Sequence, residues 1–510
     1  MRTLYRNGRI YSPAARDASA MLVEDATVSW IGQQDGIGQH AGATVVDLAG
    51  AFVTPAFVDS HVHATSTGLA LSGLDLSGCG TLRAALDAVE RTARTGGGRP
   101  ILGGGWDETR WPEHRPPTAA ELDRAAYGGS VYLARVDVHS AVVSSVLAAA
   151  VSGLAALAGY RTDGWLTRDA HDAARTAAHA ALRPAQIRDA QRAALGHAAS
   201  LGIGCVHEMA GPSISSADDL AGLLALAGEE PLPEVVGYWG ELFGVETARE
   251  LGALGAGGDL FCDGSLGSHT AALHEPYTDR PETCGALRFD TADLAEHIVR
   301  CTEAGLQAGF HAIGDAAVDQ VLDAVDLVTA RLGRTGGAGH RIEHAELVRD
   351  PDRLARSGLL ASMQPAFDAT WGGPAGMYAD RLGATRALEM NRFAELSAAG
   401  APFAFGSDSP VTPLAPWAAV RAAAHPSDPG AAISPRSAFA AHTQAGWRAV
   451  GRDGEGVLTP GSPATFAAWR AGELSSASGL PDVSPGLELP DCVHAVVRGR
   501  TNFDAGLRRG

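Results

Sequence analysis

Eight times between residues 51 and 406 a short apolar run stops at a polar or glycine residue. The runs are Ala51–His61, Gly204–His207, Glu234–Trp239, Leu260–Asp263, Leu306–His311, Arg341–His344, Leu359–Gln364 and Phe403–Gly406. Each has the length and apolar content of a buried strand. Most lead into amphipathic or alanine-rich stretches that read as helices, at Asp218–Ala227, Glu246–Leu254, Thr291–Ala304, Ala316–Leu332 and Arg386–Ala398. Strand followed by helix, eight times over, is the count of a (β/α)8 TIM barrel, an α/β fold.

The spacing breaks once. More than 140 residues separate the first and second runs, and a loop that long needs structure of its own. An insertion is therefore expected at about 66–188, packed over one barrel face. It carries Trp106, Trp111 and His139. The chain ends differ from the middle. Short strand-like segments broken by turn residues fill 1–54, and 456–510 reads the same way, so the two ends are expected to pair in one small β-domain. The barrel would occupy 55–455.

Charge and cysteine content narrow the function. The formal net charge is −18, and none of the 40 basic residues is a lysine. Phosphate recognition needs a basic stripe that this chain lacks, so nucleic acid is not an expected partner. The longest uncharged run, 141–160, is rich in Ser, Gly and Ala rather than Leu and Ile, and the start lacks a secretory h-region, so neither membrane insertion nor export is expected. The six widely spaced cysteines read as free thiols of a cytoplasmic protein. A small molecule is the expected partner, and the chain is compatible with a monomer or a homodimer.

The chemistry sits at the strand ends. His61-Val62-His63 closes the first run, and residues i and i+2 of a strand point the same way. With 18 histidines in 510 residues, chance supplies about 0.6 such pairs, so the pair alone decides little. Position decides more: His311, His344 and Asp408 also close strand runs. In a barrel the carboxyl ends share one mouth, so these five residues would converge. Four imidazoles and a carboxylate suit Zn²⁺ or a similar divalent metal, with a position left open for water. A bound metal lowers the pKa of its water and polarises a carbonyl. Asp408 is then the natural carrier of the water's proton to the leaving nitrogen. An unligated His311 or His344 would stabilise the developing oxyanion.

The motifs have a family likeness. Pro55-Ala56-Phe57-Val58-Asp59-Ser60-His61-Val62-His63 resembles the opening motif of the amidohydrolase superfamily. Asp263-Gly264-Ser265-Leu266-Gly267-Ser268, Phe310-His311-Ala312-Ile313-Gly314-Asp315, Arg341-Ile342-Glu343-His344-Ala345 and Gly406-Ser407-Asp408-Ser409-Pro410-Val411 resemble its YtcJ-like, or type 3, branch. The resemblance implies a barrel with a small β-sandwich built from both termini. It implies a metal held by His61, His63 and Asp408, with His311 and His344 on a second metal or shared between one metal and substrate. Some members bridge two metals with a carboxylated lysine on the fourth strand. Asp259 stands there in this chain, and with no lysine that bridge is chemically impossible. One metal per chain is therefore the expectation, and a pair bridged by Asp259 the alternative; Asp259 also reads as a solvated residue at a strand start.

Trp106, Asp107, His139 and Asp263 are the candidate substrate contacts, the first three by likeness to segments that reach over the barrel mouth; Trp106 as core and His139 as a turn cap are the competing readings. His207 and Glu208 read as barrel packing or support for the ligands, Asp315 as a helix cap, Trp239 as pocket wall or core, and His171, His179 and His197 as surface residues. The whole reads as a metal-dependent hydrolase of a non-peptide carbon–nitrogen bond, of N-substituted amide or formamide type. The alternatives are a heterocycle aminohydrolase and a non-catalytic binding protein. The last is motivated by the missing lysine and by Ser462-Pro463-Ala464-Thr465, which departs from the family's usual C-terminal segment.

Overall fold

The computed structural model describes residues 2–507 apart from 34, 36–41, 97, 99, 334 and 338. Eight parallel strands form one sheet in sequence order: Phe57–Val62, Ile203–Ala210, Glu234–Trp239, Gly255–Ala256, Gln307–Ala312, Arg341–His344, Leu360–Met363 and Phe403–Phe405. Beyond the last strand a parallel bridge between Val62 and Ser409 returns the sheet to its first strand, closing a (β/α)8 barrel. Helices cover the strands from outside, so most strand residues are buried on both faces. This is why Phe57–Val62 and Ile203–Ala210 read as unbroken runs rather than as alternating patterns.

The first expected strand is two strands. Phe52–Pro55 pairs with Phe466–Arg470 in a five-stranded sheet, and after Ala56 the chain enters the barrel as Phe57–Val62. That sheet also contains Arg9–Ile10, Asp491–Val497 and Arg500–Asp504, so both chain ends contribute to it. A four-stranded sheet of Arg2–Arg6, Ala20–Glu24, Thr27–Gly32 and Thr44–Asp47 packs against it through Tyr5, Met21, Val23, Val53 and Phe466. Ser462 holds the turn before Phe466 by accepting from the Thr459 amide and donating to its carbonyl, so the unusual Ser-Pro-Ala-Thr segment is structurally sound. Trp469 joins this unit to the barrel, with its ring 5.7 Å from Phe57 and 5.6 Å from Trp417.

The fourth barrel strand lies elsewhere than the sequence suggests. The ladder pairs Gly255–Ala256, not Leu260–Asp263, and Gly257 and Gly258 then break it with φ of 153° and 84°. A Cβ on Gly257 would sit 2.1 Å from the Gly309 amide nitrogen, so only glycine permits this approach. The chain rejoins the sheet at a bridge between Phe261 and His311, having swung Asp259 inward. Two expected helices are also shorter: the one after the third strand ends at Glu250, and Arg386–Ala398 is split into Ala384–Ala387 and Phe393–Ala399 around Asn391, whose φ is 52°.

The long insertion is a domain-like unit over the barrel mouth. Five strands, Leu74–Asp75, Ile101–Trp106, Val131–Arg135, Ser140–Val143 and Trp165–Thr167, form one sheet around a core that includes Trp106, Trp111 and Leu133. Its base is closed by two helices, Ala64–Ser72 and Pro184–Ser200. They touch where a Cβ on Gly68 would meet the Ala190 carbonyl at 1.8 Å. Among the described residues, no helix is long and apolar enough to cross a membrane.

Candidate metal centre

The carboxyl ends of the strands deliver four imidazoles and two carboxylates to one point. His61 Nε2 and His63 Nε2 lie 3.4 and 3.2 Å from Asp259 Oδ2, and 3.5 and 3.1 Å from Asp408 Oδ1. The other oxygen of Asp259 faces the opposite way. Its Oδ1 is 3.4 Å from His311 Nδ1 and 3.5 Å from His344 Nε2. Asp259 is thus buried between two donor sets rather than solvated at a strand start. Donors at these separations would suit holding a divalent cation between them.

Each histidine has only one nitrogen to give. His61 Nδ1 bonds Glu343 at 3.0 Å, His63 Nδ1 the Met209 carbonyl at 2.9 Å, His311 Nε2 the Gly264 carbonyl at 3.2 Å, and His344 Nδ1 Gln364 Oε1 at 2.8 Å. These partners accept, so the bonded nitrogen carries the hydrogen and the other presents a lone pair. The facing atoms His61 Nε2, His311 Nδ1, His344 Nε2, Asp259 Oδ1 and Asp408 Oδ1 are buried and make no hydrogen bond. Orphaned buried polar atoms are costly, and five gathered on the two sides of Asp259 fit the binding of divalent cations.

The electrostatics agree. Burial alone would strip the charges, yet the opposite charges override it. His61 is held well above its usual pKa beside Asp259 and Asp408, His63 is pushed up to about 10, and His344 is also raised. Asp259 sits well below the ordinary carboxylate value and Asp408 below it, both against the pull of burial and beside His61. Without metal the cluster holds protons that a cation must displace.

Backbone and second contacts fix the ligands. His344 and Asp408 have φ of 69° and 54°, a left-handed conformation costing about 1–3 kcal/mol that surrounding structure must impose. Glu343 is itself gripped by Arg341, whose Nε and Nη2 reach its oxygens at 2.5 and 3.0 Å. Arg341 also donates to the Ser60 carbonyl and lies over the Tyr238 ring, inside the barrel. Glu208 accepts from the Ala64 amide and His207 meets Arg341, so both support the ligands from behind.

A cavity of about 640 Å³ runs from this centre up under the insertion. His139 lines it, with its ring 6.0 Å from His311, and burial pushes it down to about 4. The other three substrate candidates do not reach it. Trp106 is buried in the insertion core and donates to the Leu133 carbonyl. Asp107 caps a short 3-10 turn at Thr109 and pairs with Arg135. Asp263 spends its carboxylate on the Ala272, Ile313 and Gly314 amides, locking the loop after His311. Trp239 is core, and Asp315 accepts from the Ala316 amide at its helix start.

Sequence reasoning missed other residues. His171 is buried and His179 and His197 are half-buried; all three line the cavity, and His171 bonds the Tyr132 hydroxyl at 2.8 Å. Their helices pack alanine stripes such as Ala170, Ala174 and Ala178 into the core, and nothing in that pattern shows that the histidines beside the stripe face a cavity. The roles of Glu343 and Gln364 were unassigned, although each lies within a strand-end motif.

A model of the amidohydrolase family matches residues 44–501. The chain is 28% identical over 459 residues to YtcJ of Bacillus subtilis (strain 168), covering 83% of each protein. It is 24% identical over 496 residues to the N-substituted formamide deformylase of Arthrobacter pascens, covering 88% of this chain and 89% of that one. Among solved structures it is similar to an uncharacterized metal-dependent hydrolase from Pyrococcus furiosus, with 30% identity and a TM-score of 0.73 over 92% of this chain and 98% of that one.

Proposed function

The chain belongs to the amidohydrolase family, as a metal-dependent hydrolase, and from that premise we propose that it cleaves a non-peptide carbon–nitrogen bond of N-substituted amide or formamide type. One observation carries the reading: four imidazoles, each fixed in one tautomer, aim their free nitrogens at two buried carboxylates on the floor of a closed-over cavity. The relative from Arthrobacter pascens, alike over nearly its whole length, supports the substrate class.

His61, His63 and Asp408 with Asp259 Oδ2 would hold one metal, and His311 and His344 with Asp259 Oδ1 a second. This reading takes two metals, the alternative to the single one favoured from the sequence, with zinc the best match to the imidazole-rich donors. When bound, such a cation lowers the pKa of water and polarises the substrate carbonyl.

The chain's residues do the remainder. Asp408, on the cavity wall between the donors and the substrate space, accepts the proton of the attacking water and returns it to the leaving nitrogen. His139, kept neutral by burial, offers the carbonyl or leaving group a hydrogen bond without adding charge. Leu74, Leu102, Val136 and Val138 of the insertion shield this space from bulk water.

The test is hydrolysis of a panel of N-substituted formamides and acetamides by metal-loaded protein. Release of formate or acetate with the free amine, stopped by chelator and restored by zinc, is expected. Ammonia release from amidines or heterocyclic amines with no amide turnover would replace this reading with an aminohydrolase.

A further inference from the structure

The far wall of the cavity carries a charge that the hydrolytic chemistry does not use. Arg168, Arg175 and Arg288 reach it, against one carboxylate, Asp172. The other charged groups lining the cavity beyond the metal centre are already engaged: Arg135 with Asp107, Glu108 and Asp137, and Asp75 with the Ser77 amide. Asp172 is divided between two arginines, with Oδ1 3.1 Å from Arg175 Nη2 and Oδ2 3.8 Å from Arg288 Nη1.

That leaves the cations undersupplied. Arg175 donates also to the Ser213 carbonyl, and its buried Nε finds no partner. Among the described residues Arg168 has no ion pair. Arg288 lies 5.4 Å over the Phe261 ring, and that ring is 4.8 Å from the His311 imidazole. The guanidinium is thus two ring contacts from the metal centre. In a chain of net charge −18 this is no outcrop of a generally basic surface.

We propose that the substrate carries a carboxylate, bound by Arg288 and Arg168 at the far end of the cavity while its scissile amide lies at the metal centre. The proposal rests on the hydrolase reading above and adds the substrate's charge. Planar guanidiniums pair with carboxylates through parallel hydrogen bonds, and Phe261, which lies between Arg288 and His311 and lines the cavity, offers a ring face to an aromatic or aliphatic spacer.

Binding tests it independently of turnover. The probes are 4-(3-oxobutyl)benzoate and 4-(3-oxobutyl)benzyl alcohol, ketones without a carbon–nitrogen bond, titrated calorimetrically into metal-loaded protein. The benzoate is expected to bind at least about tenfold more tightly. The gap should shrink below about threefold when Arg288→Gln is combined with Arg168→Gln, and widen in Asp172→Asn, which removes the competing anion. Equal affinities in the unsubstituted protein, a gap unchanged by the arginine substitutions, or a gap narrowed by Asp172→Asn would overturn the proposal. So would a phosphonate analogue that binds more tightly than the benzoate. Absence of amide hydrolysis would instead count against the function and leave this measurement standing.

Discussion

Glu343 holds His61 through a 3.0 Å hydrogen bond to Nδ1 while its other oxygen is clamped by Arg341. The pair lies wholly inside the barrel and sets which His61 nitrogen faces the metal. Glu343→Gln removes the charge but not the shape. Metal affinity should fall about 10–100-fold, read by competition with a chelator of known affinity. The larger loss belongs to Glu343→Ala, which leaves Arg341 buried and unpaired at a cost of about 3–5 kcal/mol in denaturant unfolding. Unchanged metal affinity in both variants would remove Glu343 from the site.

Asp408→Asn keeps the side-chain volume and removes the proton acceptor. Turnover should drop by at least about 10²-fold with the unfolding midpoint nearly unchanged. A variant with near-normal kcat would refute the assigned role.

Trp106 separates packing from recognition. Trp106→Phe loses the bond to the Leu133 carbonyl inside the insertion core, so stability should fall by about 1–3 kcal/mol while KM for the preferred amide stays within about threefold. A large rise in KM at unchanged stability would mean that the indole touches substrate.

Several buried histidines set the acid limit of the metal-loaded protein. Burial pushes His139 and His179 down to about 4, and His171 and His207 well below the usual value. In the unfolded chain each would take up a proton near 6.5. The stability they contribute is therefore complete above 6.5 and declines as pH falls towards 4, by about 1.4 kcal/mol per pH unit for each one. His63 acts oppositely when metal is absent: raised to about 10, its contribution is present below 6.5 and lost as pH rises through 10. Urea unfolding between pH 8 and 4 with metal bound should show a falling midpoint, and a flat profile would contradict the account.

The barrel was legible because parallel strands buried on both faces leave apolar runs whatever their loops do, and His61, His63, His311, His344 and Asp408 were legible because they end those runs. Phe57–Val62 was found within a longer run, but its separation from Phe52–Pro55 was not, since one extended segment serving two sheets has no break in composition. Asp259 was placed by alignment with a missing lysine, yet its inward position depends on the Gly257-Gly258 jog, a backbone event that apolar patterning does not encode. The cavity was hidden for a related reason. Arg168, Arg175 and Arg288 come from two segments more than 100 residues apart in sequence, and only the insertion's packing over the barrel brings them together.

The most direct test of the account is metal content per chain, because Asp259 turns one oxygen to His61 and His63 and the other to His311 and His344. Protein reconstituted with zinc and freed of excess should hold two equivalents, and a folded Asp259→Ala variant no more than one. A single equivalent in the unsubstituted protein, unchanged by Asp259→Ala, would contradict it.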